Sequence, residues 1–210
     1  MKAKLAEIVL DKELHKKWLN TLSFMEHAGA RKISACEDPV TVDIIQLKHA
    51  AEEHRHAYYL KKQIQKLDVD QDVLYRSADM LAPVYTKQYL HHLDIHCSRY
   101  LKAQFGLSGK ELRYAAYLFV TYVIEIRADE LYPVYQEVLT EQQSKVTVKS
   151  IIAEEEGHLE EMTALLERFD PLWQQHAAYL AGVETQLFEA WFTALAQEVS
   201  DDARPGTTVA

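Results

Sequence analysis

Glycine and proline are scarce in this 210-residue chain, with six and five copies, so the turn punctuation that divides a β-rich protein into many short strands is missing. Cysteine is scarcer still. Cys36 and Cys97 stand far apart with no Cys-x-x-Cys pair, which leaves no basis for a disulfide framework, a thiolate zinc site or a rubredoxin-type iron site and fits a reducing compartment. Basic charge is in deficit as well: the formal net charge is -9, whereas a general nucleic-acid or anionic-membrane surface needs positive charge to collect phosphates. No run approaches the roughly 18 uncharged apolar residues of a membrane span, and the opening MKAKLAEIVLDKELHKKW has neither a sustained apolar centre nor a small-residue cleavage pattern. Together these absences predict a cytoplasmic protein that uses neither membrane nor nucleic acid as a partner.

Helix formers are abundant, and 48% of the residues are hydrophobic, enough for one sizeable core. The expectation is a single all-α domain over 1–199 followed by a disordered tail, SDDARPGTTVA, over 200–210. Leu14, Trp18, Leu19, Leu22, Met25, Ala30 and Ile33 recur at three- and four-residue steps and predict a helix over about 11–35. The Glu37-Asp38-Pro39 break and a cap at Thr41 or Asp43 open a second helix to about Leu67. Residues 68–107 form a long connection that holds at least one helix of its own. Ser108 and Glu111 have capping-box spacing and open a third long helix to about Thr140, with Pro133 expected to kink it. A fourth helix is expected from about Val146 to Phe169. An extra C-terminal helix then runs through Trp173, Leu187 and Trp191. Short connections make the first pair and the second pair each antiparallel, while the long middle segment lays one pair beside the other.

Chemistry enters where carboxylates interrupt apolar stripes. Glu53 and His56 lie one helical turn apart on the face that carries Ile45 and Leu60, and Glu155 and His158 repeat the arrangement among Ile151, Met162 and Leu165. A buried carboxylate requires a cation, a hydrogen-bond network or a proton, because stranding its charge costs several kcal/mol. The first long helix adds Glu26, flanked by Leu19, Leu22, Ala30 and Ile33. The third offers Glu130 or Glu125, about 140° apart on a helical wheel. Val123, Ile126 and Val134 surround Glu130, whereas Leu118, Thr121 and Asp129 surround Glu125. Spacing points the same way: 27 residues separate Glu26 from Glu53, against 25 from Glu130 to Glu155 and 30 from Glu125. Glu130 is therefore the preferred fourth acid, with Glu125 as the alternate.

The ordered set Glu26, Glu53/His56, Glu130 and Glu155/His158 resembles the ferritin-like di-iron carboxylate superfamily, in which two helices each give one Glu and two others each give Glu-x-x-His. The resemblance covers roughly residues 11–169. It implies an antiparallel four-helix bundle with a long crossover and an additional C-terminal helix. It further implies two iron ions, with manganese as the alternative, bridged by Glu53 and Glu155 and completed by Glu26, Glu130, His56 and His158. A His in both halves is closer to the rubrerythrin, bacterioferritin and di-iron oxidase branches than to storage ferritin. The implied activity is that of an oxidoreductase that uses dioxygen or peroxide, an electron donor and a small organic substrate. Ferrous-iron handling and a metal-free helical interaction protein are the alternatives, and a homodimer is one assembly open to it.

Other residues have quieter explanations. Glu52, Glu154, Glu156, Glu160 and Glu161 read as a solvated acidic face, and His49 as a buried polar neighbour of the site. Arg55 and Arg127 read as exposed ion-pair partners, although either can neutralise a carboxylate of the cluster. Tyr58, Tyr59, Tyr122, Tyr132 and Tyr135 read as packing, and His91, His92 and His96 lack the acidic or thiol partner of a second metal site.

Overall fold

The computed structural model describes residues 1–202, apart from the side chains of Glu156 and Asp202. Among them there is no strand. The chain forms α1 (Lys2–Leu10), α2 (Lys12–Cys36), α3 (Ile44–Ile64), a 3-10 turn at Ser77–Asp79, α4 (Pro83–Phe105), α5 (Gly109–Glu141), α6 (Lys149–Phe169) and α7 (Trp173–Asp202). No helix of the described residues is long and apolar enough to cross a membrane.

Local chemistry sets most boundaries. Asp11 caps α2 by accepting from the backbone N–H groups of Glu13 and Leu14, and Asp43 caps α3 by accepting from Gln46. Gly106 ends α4 in the left-handed conformation, φ 66°, which costs a glycine little. Ser108 stands at the start of α5, yet its side chain makes no capping hydrogen bond, so the expected capping box does not form. The start of α6 is satisfied from a distance instead. Gln136 Oε1 accepts from Val148 N–H and Thr147 Oγ1, and Gln63 Oε1 accepts from Thr147 N–H. Pro133 does not interrupt α5; it sits on the exposed side, where water can satisfy the carbonyl that its ring leaves free.

One helix and one helix end differ from the sequence expectation. α1 is too short to show a clear stripe, but it buries Leu5 and Ile8 completely and reaches α5 through Lys2 to Glu137 and Glu141. The C-terminal helix extends through residues 200–202, which corrects the expected tail boundary; the remainder of that tail, 203–210, lies outside the described residues.

The order of contacts fixes the packing of the long helices. Ser23 Oγ donates to Ala57 O, while Gln46 Nε2 donates to Ile33 O, so α2 and α3 run antiparallel. α3 and α6 pair in opposite order too, His49 with Glu161 and His56 with Glu154. α4 and α7 pack on each other and against α5, tied by Trp191 Nε1 to Thr86 Oγ1 and by the stacking of Trp191 between Trp18 and Tyr89. The 65–82 connection is held by Asn20 Nδ2, which donates to Leu74 O and Asp79 O, and by Lys61 Nζ, which donates to Val73 O.

Two apolar clusters result. One contains Leu22, Leu60, Leu131 and Ile151, the other Ile33, Ala50, Val123 and Met162. On α2, α3, α5 and α6 alike, the chain passes from one cluster to the other through a short polar interval. Those intervals lie side by side and form the candidate site.

Candidate metal centre

At this polar waist, ligand atoms of Glu26, Glu53, His56 and Glu155 lie within 4.8 Å of one another, and those of Glu53, Glu125, Glu155 and His158 do the same. The two groups share Glu53 and Glu155. All of these side chains are buried except Glu26, which is half-buried and accepts a hydrogen bond from Tyr132 Oη. Among the described residues, the cationic groups in reach of Glu53, Glu125 and Glu155 are the imidazoles of His56 and His158.

Five of the six residues expected from the sequence converge here, and one does not. Glu130 points outward, with its side chain 57% exposed, and pairs with Arg127. Glu125 replaces it, 2% exposed and facing His158 Nδ1 at 3.6 Å. The apolar neighbours that favoured Glu130 mislead, because Ile126 and Val134 are only half-buried while Leu118 and Thr121 beside Glu125 are buried. α5 touches α1, α2, α4, α6 and α7, so it is apolar on several faces and its pattern does not single one out.

The imidazoles are oriented from outside. His56 Nε2 donates to Glu154 Oε2 at 2.7 Å, and His158 Nε2 donates to Glu52 Oε2 at 2.7 Å. Because a carboxylate only accepts, the remaining nitrogen, Nδ1, faces the cluster in both rings. The exchange is reciprocal: the residue before each shared glutamate, Glu53 and Glu155, braces the histidine of the opposite helix. Arg55 Nη2 ties the two braces together, at 3.3 Å from Glu52 and 2.5 Å from Glu154. Sequence reasoning had assigned Glu52 and Glu154 to a solvated face. The repeated Glu-Glu-x-x-His string, 52–56 and 154–158, was the signal available for them.

The remaining candidates settle around this frame. His49 turns away from the cluster, with Nδ1 near Tyr117 Oη and Nε2 donating to Glu161. Arg127 grips the buried Glu184 with Nε and Nη2, and Tyr89 Oη donates to the same carboxylate. Of the tyrosines, Tyr132 is the one that touches the cluster. His91, His92 and His96 lie on the exposed side of α4 and enter neither group of candidate ligands.

Electrostatics describe a site short of positive charge. Burial, reinforced by Glu26 and Glu155, pushes the Glu53 carboxyl well above the usual carboxylate range. Burial and the neighbouring Glu155 do the same to Glu125. Glu155 goes the other way: burial opposes its charge, but hydrogen bonds from Glu125 and His158 and the nearby His56 imidazole outweigh burial and hold it ionised. Burial also opposes a charge on His158, yet Glu125 and Glu155 pull its pKa up to about 11, and Glu155 and Glu26 raise that of His56. Protons therefore balance the carboxylates, and a dication at the same place would displace them. The buried His56 Nδ1 has no hydrogen-bond partner, although Glu155 Oε1 lies 3.2 Å away. A buried imidazole nitrogen that faces carboxylates without a well-formed hydrogen bond to any of them suits a place for a cation. Two dications match the charge of four carboxylates, and a mixed oxygen and imidazole donor set suits iron or manganese.

A cavity of about 370 Å³ reaches the cluster between α2, α4 and α5, with Glu26, Glu53, Glu125 and Glu155 among its walls. No protein family, curated protein or solved structure matches the chain.

Proposed function

We propose that this protein is a ferritin-like di-metal oxidoreductase, with α2, α3, α5 and α6 as the bundle and α4 and α7 as an added wall. The observation that carries the reading is the pair of four-residue groups that share Glu53 and Glu155. Glu26 and His56 would hold one ion and Glu125 and His158 the other, with the two shared carboxylates between them. Two iron ions, or manganese, would supply redox chemistry toward dioxygen or peroxide when bound.

The chain's own residues supply the rest. Glu154 and Glu52 hold the imidazole rings in the orientation that aims Nδ1 inward. Tyr132 holds Glu26 from the cavity side and places a hydroxyl proton at the wall that a substrate would meet. Leu22, Leu60, Val123 and Met162 close the waist above and below and keep bulk water from the carboxylates. The 370 Å³ opening favours an organic substrate over iron handling, because passage of ferrous ions needs no enclosed apolar volume. An electron donor and a cytoplasmic setting complete the proposal.

The test is oxygen uptake by protein reconstituted anaerobically with two equivalents of ferrous iron. Consumption that starts on mixing with dioxygen and disappears in Glu53→Ala supports the reading. Protein that holds two irons and consumes neither dioxygen nor peroxide would refute it.

A further inference from the structure

The cavity is larger and more apolar than access for dioxygen requires. Apart from the carboxylates at its floor, its wall is mostly hydrocarbon, including Leu22, Met25, Ile33, Leu93, Val120 and Ile124. At roughly 30 Å³ for each water-sized group, about 370 Å³ holds on the order of a dozen non-hydrogen atoms. The wall's cations are unequal. Arg127 is committed to Glu184, and Lys32 is paired with Asp94 at 2.6 Å. Lys87 lines the cavity from α4, is exposed, and makes no ion pair among the described residues. His91, one turn further along α4, lines it as well.

From this we infer that the cavity binds an apolar chain or ring system of about a dozen non-hydrogen atoms with one anionic head. The head sits at Lys87 and the hydrocarbon lies against the Glu26, Glu53, Glu125 and Glu155 floor. The identity of the floor as a metal centre rests on the function proposed above; the binding of this ligand class does not. An acidic floor repels a free carboxylate, and an unpaired ammonium at the outer wall attracts one, so charge alone sets the direction of entry. Gly29 is a point of the wall where added bulk would enter the cavity. It sits inside α2, where glycine weakens a helix, it lines the cavity, and a Cβ added there meets no heavy atom within 4 Å.

Calorimetric titration with sodium decanoate and with 1-decanol tests this on the protein as purified with its metal. Decanoate binds, and binds at least about fivefold more tightly than decanol, the size expected of one exposed charge pair. Lys87→Glu removes that advantage and leaves decanol unchanged. Gly29→Leu weakens both ligands by about tenfold or more, with metal content and helicity intact. Equal affinity for decanoate and decanol, or no effect of Lys87→Glu, overturns the inference, since either places the head elsewhere. Failure of decanoate to bind also overturns it. Absence of metal defeats the proposed function alone, because decanoate then still binds through Lys87.

Discussion

Four carboxylates in two groups that share Glu53 and Glu155, three of the four almost fully buried, are tolerable only if something positive stands among them. His56 and His158 supply part of that charge, drawn up by Glu125, Glu155 and Glu26, while Glu154 and Glu52 orient the rings. Glu52→Ala and Glu154→Ala should each leave the fold intact and weaken metal binding by about 10- to 100-fold, measured by competition with a chelator. Arg55→Ala should act less, because it reaches the rings only through those carboxylates. Far from the site, His15 is buried and shares a 2.6 Å hydrogen bond with Tyr135 Oη; burial lowers its pKa from 6.5 to about 4. Between those values the unfolded chain takes up a proton that the folded protein refuses. His15 therefore stabilises the fold fully above pH 6.5, and that contribution is lost as pH falls toward 4, by up to ~3 kcal/mol. Urea denaturation at pH 7.5 and pH 5 should show a smaller loss in His15→Gln than in the wild type. Equal losses would show that the ring does not stay neutral. At this scale, Glu26, Glu53, His56, Glu155 and His158 were legible because each breaks an apolar stripe. Glu125 was legible only as the alternate to Glu130, because its stripe includes a buried Thr121 that reads as polar.

Among the elements, the four long helices were readable from their 3.6-residue periodicity, and the cap of α3 from residue type, as Thr41 or Asp43. What escaped were features fixed by partners distant in sequence. α1 owes its place to burial of Leu5 and Ile8 and to Lys2, which reaches α5, and nothing within nine residues reports that. The start of α6 has no local side-chain cap and borrows Gln136 and Gln63 from other helices. Gln136→Ala should consequently destabilise the protein by about 1–2 kcal/mol in denaturant unfolding, more than an exposed glutamine in α5 would. An unchanged midpoint would show that water replaces the amide without cost.

For the whole molecule, two apolar clusters and a polar waist give the bundle a division that the sequence expressed only as spacing. The waist needs contributions from α2, α3, α5 and α6 at one level, and α4 closes the side where the cavity opens. The proposed function fills this waist with two cations, so the central claim is best tested by counting them. Elemental analysis of protein purified without chelators should give two iron or manganese ions per chain for the wild type and for Glu130→Ala, and no more than about one for Glu125→Ala. Two ions retained by Glu125→Ala and lost by Glu130→Ala, or no metal in the wild type, would contradict the account.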